Sequence, residues 1–380
     1  MDSLARISAA QSAVQETIDG SVHRMLSDGV HFHDLMELRN KIETQETWCD
    51  QWMGAATVHE VVGRTAFKRG ARFTAGEALW RAALYCHFAQ GYFTDTAPDK
   101  KFFAENRKQS LFRDAAPLLK DPLERIEFPF RGESVPGYLR LPSNVRPAPC
   151  VILFGGLDST KEDSLTLSNL MVERGLATLA FDGPGQGEMF QRMRLIRDYE
   201  SAVSASIDFL ERHESIDPSR IGVVGRSTGG HWACQVAAKD LRVKAAIAWG
   251  LAYHARNIPS MPPTVQKRWL RASGLQTLEE VAAYFQSYDL DGVASRIVCP
   301  LMVVQGGRDP IVPPESLELV VSQAQGIVEV LTWFDCGHCC HERSHITKPA
   351  MADFMVRHLQ ALQERVRALP DAVRIQPAGR

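Results

Sequence analysis

The sequence contains no run of about 18 uninterrupted apolar residues, so it offers no membrane-spanning helix. Met1 to Gly20 lacks the apolar core of an export signal, and a cytoplasmic setting is expected. Charge of one sign is missing too. The formal net charge is −2 with no long acidic or basic run, which argues against nucleic acid or an anionic membrane surface as a partner. A second pair of metal ligands is also absent. The stretch Cys336-Gly337-His338-Cys339-Cys340-His341 has C-x-x-C spacing, but no matching pair stands elsewhere, and haem attachment would need histidine directly after Cys339. Packing is the favoured reading of that cluster, and neither metal nor organic cofactor is expected. The eight cysteines are scattered, several of them (Cys150, Cys234, Cys299) in or beside apolar runs, as reduced buried thiols are. What the chain does have is 45% hydrophobic content over 380 residues, enough for one large core plus an addition.

The most informative segment is Gly225-Arg226-Ser227-Thr228-Gly229. Before it, Arg220 to Val224 reads as a short buried strand; after it, Gly230 to Ala238 reads as a helix. A G-x-S-x-G between strand and helix is the setting of a nucleophilic serine on a tight turn, where flanking side chains would collide. A serine hydroxyl needs a base, and the base needs an orienting acid. Pro300 to Gly307 is an apolar strand and glycine turn leading to Asp309; Val328 to Phe334 is the next strand, and His338 follows it. Ser227, Asp309 and His338 therefore fall in the order expected of such a triad, each past a strand's C-terminal end. Asp335 is the rival acid, but it lies three residues from His338 and suits the turn; Asp182 precedes the serine and reads as a loop brace. His341 and His345 suit the start of the following helix, and His231 and His254 suit pocket or packing positions.

From about Leu123 onward, strand and helix patterns alternate. Strands are expected at Glu124–Phe130, Gly137–Leu141, Cys150–Phe154, Ala177–Phe181 and Val243–Trp249, besides those carrying the three residues above. Helices are expected at Ser164–Arg174, Tyr199–His213, Pro314–Ala324 and Lys348–Leu369. This implies an α/β fold with a mostly parallel, doubly wound sheet. Residues 1 to 122 carry helical signals only, at Phe32–Thr44, Glu46–Gly63 and Thr74–Gly91, and are read as an N-terminal helical cap domain before a catalytic domain at 123–370. Residues 251 to about 297 interrupt the alternation as a lid insertion placed over the serine. Trp80, Tyr85, His87, Tyr92, His254 and Trp269 are candidate pocket-lining residues, though ordinary core positions suit them equally.

A tetrahedral oxyanion needs two aimed N–H donors. One is expected from Thr228, the other from Leu157 or Gly156 in the loop Gly155-Gly156-Leu157-Asp158-Ser159-Thr160. Asp158 is out of place there, since an ionised carboxylate opposes an oxyanion. Two roles stay open: a neutral acid, its pKa raised in a dry pocket and able to protonate a departing carbon, or a loop-capping and positioning role.

Four motifs carry a resemblance: Gly155 to Glu162, Phe181-Asp182-Gly183-Pro184-Gly185-Gln186-Gly187-Glu188, Gly225 to Gly230, and Gly337 to His341. Together with the helices bearing Trp48, Trp52 and Trp80, they resemble the branch of the α/β-hydrolases that holds 2,6-dihydroxypseudooxynicotine hydrolase, fungal polyketide-shortening hydrolases and FrsA-like proteins, over roughly residues 28 to 360. The resemblance implies a serine-dependent carbon–carbon hydrolase acting on a ketone attached to an electron-rich ring, with a helical cap and a homodimeric assembly. It also implies the triad at Ser227, Asp309 and His338. That branch's nicotine-pathway enzyme uses a further glutamate, placed where this chain reads His254-Ala255-Arg256-Asn257-Ile258 without a carboxylate. The expected function is hydrolysis of an acyl–carbon bond in an aryl ketone or β-diketone-like substrate. The alternatives are a carboxylesterase with the same triad and a hydrolase-fold protein that binds without turnover.

Overall fold

The computed structural model describes residues 2–91, 97–286 and 288–360, with side chains from Val14 onward except those of 255–257. Five helices come first: α1 (Asp2–Asp28), α2 (Phe32–Lys41), α3 (Gln45–Lys68), α4 (Arg72–Ala89) and α5 (Pro98–Ala115). The sheet region follows as β1 (Leu123–Phe130), β2 (Glu133–Arg140), β3 (Ala148–Phe154), α6 (Leu165–Glu173), β4 (Ala177–Phe181), α7 (Glu200–Leu210), β5 (Ile216–Arg226), α8 (Thr228–Lys239) and β6 (Val243–Trp249). After α9 (Pro263–Ser273) and α10 (Leu278–Tyr284) come β7 (Leu301–Gly306), α11 (Glu315–Gln323), β8 (Val328–Trp333) and α12 (Ser344–Leu359).

The eight strands form one sheet in the order β1-β2-β4-β3-β5-β6-β7-β8. β1 and β2 are an antiparallel hairpin, β2 pairs antiparallel with β4, and every later pairing is parallel. Parallel strands need helical crossovers on the sheet faces, so β3, the second half of β5 (from Ile221) and β6 apart from Lys244 are buried. Their C-terminal ends, with that of β7, converge on one edge, where ligands of open α/β sheets bind.

The helical region has its own apolar cluster, built around the fully buried Trp48, Trp52, Tyr85 and Phe112, and it reaches Tyr138 of β2 and Leu165 of α6. α1 and α5 are two helices beyond those expected from the sequence. α1 buries Val14, Ile18 and Met25, with Val22 and Leu26 partly buried beside them. The closing helix stops at Leu359 rather than continuing as one pattern to Leu369; residues 361–369 lie outside those described.

Candidate active site

Ser227 sits between the end of β5 and the start of α8 with φ +60° and ψ −124°, a conformation a non-glycine residue adopts only under constraint, at a cost of about 1–3 kcal/mol. Its amide donates to Trp249 O at 2.6 Å, which locks the turn against β6. The flanking glycines are required sterically. A Cβ at 225 would lie 1.8 Å from Gly229 O, and one at 229 would lie 2.8 Å from Gly155 O.

The three residues expected to act together do meet. Ser227 Oγ is 2.8 Å from His338 Nε2, and His338 Nδ1 is 2.6 Å from Asp309 Oδ2. Asp309 follows β7, and its other oxygen accepts the amides of Ile311 (2.8 Å) and Val312 (3.0 Å). Those bonds hold the carboxylate against the ring and so assign Nδ1 as the protonated nitrogen, leaving Nε2 to accept from the serine. Burial disfavours a charged imidazole, but neighbouring Cys339 and the Asp309 carboxylate together hold the His338 pKa well above the ordinary imidazole value. Asp335 plays no part in this line; it is exposed and pairs with Arg343 at 2.8 Å.

Two amides face the same space. Leu157 and Thr228 both border the narrow pocket at Ser227, and among the described residues neither N–H donates to another group. Gly156 brings the loop in close: a Cβ there would sit 3.0 Å from Ser227 Cβ and 3.2 Å from Thr228 N. The loop is held by Gln186, whose amide nitrogen donates to Gly155 O (2.8 Å) and Gly156 O (2.7 Å). Gln186 Oε1 in turn accepts from Gly183 N and from Tyr199 Oη. Turning both glycine carbonyls toward Gln186 leaves the next amide, that of Leu157, free for a ligand. Asp182 is the brace it was expected to be, accepting Lys161 N at 2.8 Å and Glu188 N at 3.1 Å. Glu162, Asp182 and Glu188 converge as metal ligands would, yet the Lys161 ammonium sits among them at 2.6–2.8 Å.

Asp158 differs from one of the roles expected of it. Burial pushes its carboxyl upward, but Arg24 (2.7 Å) and Arg268 (3.1 Å) hold it well below the usual carboxylate range. It is an ionised clamp joining α1 and α9 to the Gly155–Thr160 loop, and it has no proton to give near neutral pH.

The site is roofed but not sealed. A cavity of about 520 Å³ reaches Ser227 and His338 between α1, which contributes Arg24, and α9, which contributes Val265 and Arg268. A narrow pocket of about 30 Å³ runs deeper from Ser227, walled by His231, His254, Trp269 and Tyr288. A third chamber, about 510 Å³, includes His87 in its lining and meets the others at Asp158 and Arg268. Trp80 and Tyr85 border none of these. Tyr85 is fully buried and donates to Asp34 at 2.5 Å, and Trp80 packs over Gly29; both serve the helical core. Tyr92 lies outside the described residues.

One set of site residues escapes sequence reasoning. Arg226, next to the serine, is buried and bonds Asp28 (2.9 Å), Asp163 (2.6 Å) and Ser159 (2.8 Å). A signal for it exists: a charge inside the serine turn must find a partner once buried.

A family model described as "Esterase FrsA-like" matches residues 42–330. The chain is 36% identical to 2,6-dihydropseudooxynicotine hydrolase of Paenarthrobacter nicotinovorans, the match covering 87% of this chain and 90% of that one. The crystal structure of 2,6-dihydroxy-pseudo-oxynicotine hydrolase superposes with a TM-score of 0.83 at 36% identity, covering 89% of this chain and 95% of the other. The hydrolyase ccsE of Aspergillus clavatus is 28% identical over 69% of this chain and 74% of its own.

The chain belongs to the FrsA-like family of α/β-hydrolases. It is a hydrolase with the mostly parallel sheet of that fold and an N-terminal helical region. Among the described residues no helix is long and apolar enough to cross a membrane.

Proposed function

We propose that this FrsA-like hydrolase cleaves the bond between a carbonyl carbon and a neighbouring carbon in an aryl ketone or β-diketone-like substrate, through an acyl-enzyme on Ser227. The observation that carries the reading is the continuous line from Ser227 Oγ through His338 to Asp309, set beside two unengaged amides. Ser227 attacks the carbonyl as His338 takes its proton, and Asp309 keeps the ring in the working tautomer. The oxyanion rests on the Leu157 and Thr228 amides. Collapse breaks the carbon–carbon bond, and the imidazolium returns its proton to the departing carbon, which leaves as the free arene. Water, deprotonated by His338, then releases the acyl group as a carboxylic acid. The overall change is ketone plus water to arene plus acid, or for a β-diketone a smaller ketone plus acid.

The choice of a ketone follows the similarity to 2,6-dihydropseudooxynicotine hydrolase. A carboxylesterase with the same triad is the second reading. It is favoured by the family description and by the ionised state of Asp158, which leaves His338 to protonate any leaving group. The deciding experiment offers a dihydroxyaryl alkyl ketone and its matched aryl ester, with products identified by mass spectrometry and Ser227→Ala as control. Serine-dependent release of dihydroxyarene from the ketone upholds the reading, and cleavage of the ester alone replaces it with the second.

The catalytic region is taken to begin at residue 123, with the helical region to 122 acting as a cap and 251–297 as a lid. A homodimer in a reducing cytoplasm completes the reading. Val58, Val61 and Phe67 of α3 lie exposed beside the cap core, and all eight cysteines are free and buried.

A further inference from the structure

Among the described residues, the lining of the 510 Å³ chamber beside the site carries more positive than negative side chains. The described lining holds six side chains that are positive at neutral pH (Arg24, Lys101, Arg194, Lys267, Arg268, Arg271) against three acids (Asp99, Glu105, Asp158). Two of those acids are already engaged: Asp158 by Arg24 and Arg268, Glu105 by the buried Lys108 at 2.9 Å. Among the described residues neither Arg194 nor Lys267 is paired with a carboxylate.

The placement is ordered. α9 turns Thr264, Lys267, Arg268 and Arg271 to the chamber at i, i+3, i+4 and i+7, while Val265, Trp269 and Ala272 are buried. No acid occurs anywhere along this helix, so like charges stand one turn apart and repel. Across the chamber the Arg194 guanidinium lies 4.0 Å from the Phe190 ring centroid, and that of Arg271 lies 5.7 Å from the same centroid. Arg271 also reaches Leu157 O at 3.5 Å, the carbonyl of the residue whose amide faces Ser227. Leu157, Asp158 and Arg268 border both this chamber and the serine pocket. A molecule with its carbonyl at Ser227 therefore extends past Leu157 into a space walled by excess positive charge.

We propose that this chamber takes an anionic group of the substrate, a carboxylate or an anion of similar size, held by Arg194 and Lys267 while the reacting carbonyl lies at Ser227. The proposal deepens the hydrolase reading and rests on Ser227 as nucleophile. It specifies a substrate whose acyl arm ends in negative charge, and guanidinium groups suit such an end because they bind carboxylates through paired N–H donors. The group anchors the arm without touching the reacting atoms, so its loss belongs in KM rather than kcat.

The test compares p-nitrophenyl hydrogen glutarate with p-nitrophenyl valerate, two esters of equal chain length that differ in one terminal charge. After correction for their alkaline hydrolysis rates, the native enzyme is expected to favour the glutarate ester by at least about tenfold in kcat/KM. Arg194→Gln with Lys267→Gln, both at exposed positions, is expected to remove that preference through KM and to leave valerate unchanged. Raising ionic strength is expected to shrink the preference as well. Equal use of the two esters, or a preference indifferent to the double variant, overturns the proposal. Failure to hydrolyse either ester counts against the hydrolase reading instead, and calorimetric titration with glutarate and neutral glutaramide then decides the proposal. Glutarate binding weakened about tenfold by the double variant, with glutaramide unaffected, supports it; equal binding of the two ligands overturns it.

Discussion

Arg226 Nη1 donates to Asp28 Oδ1 at 2.9 Å, a contact between residues 198 apart that fastens the end of α1 to the position preceding Ser227. Both side chains are buried, and Asp163 and Ser159 take the rest of the guanidinium. The catalytic turn and the first helix are thus parts of one ion network. Arg226→Leu would leave Asp28 and Asp163 buried without their main counter-charge, and the expected loss is about 3–5 kcal/mol of folding stability. Chemical denaturation of the variant measures it, and a loss below about 1 kcal/mol would show that Arg24 and Lys348 compensate.

Gln186 anchors the Gly155–Thr160 loop from behind. Gln186→Leu removes the donor that holds the Gly155 and Gly156 carbonyls, so the Leu157 amide loses its fixed aim. The expected result is a fall in kcat of about 10- to 100-fold with KM little changed, somewhat less than outright loss of an oxyanion donor. Steady-state kinetics well below the melting temperature check it.

Asp158 is ionised between Arg24 and Arg268, so Asp158→Asn should lower kcat/KM by less than the roughly hundredfold that loss of a general acid entails. The basic limb of the pH profile is expected to stay in place. A basic limb that disappears in the variant would restore the proton-donating role.

With His338 as the proposed base, the acid limb is expected to follow its titration. As base the imidazole must be neutral, so kcat/KM is full above its pKa and is lost as pH falls through it. Because Cys339 and Asp309 raise that pKa against the opposing effect of burial, the midpoint is expected above the ordinary value of about 6.5. A pH profile of kcat/KM with a midpoint at or below that value contradicts the assignment.

Much of the site is legible in the amino-acid sequence, because the residues of the triad each follow a strand. The strands Ala177–Phe181 and Val243–Trp249 have the same bounds in sequence and fold, since both are short, largely apolar runs, closed by Asp182 and by Gly250. The ions are less legible. Arg24 and Asp28 lie on α1, and nothing local marks which residues of the sheet region they will meet. Asp158 keeps two open roles in the sequence because its protonation state depends on Arg24, 134 residues away, and on Arg268. Trp80 and Tyr85 show the opposite difficulty: an aromatic on an amphipathic helix looks alike whether it lines a pocket or fills a core.

The most direct test of the central claim is to mix the enzyme with a dihydroxyaryl alkyl ketone, quench in acid within milliseconds and measure the mass of the peptide that contains Ser227. This peptide is expected to gain the acyl group while free dihydroxyarene appears in matching amount, and Ser227→Ala is expected to give neither. Release of arene from the ketone with no acyl group on Ser227, or undiminished release by Ser227→Ala, would contradict the claim.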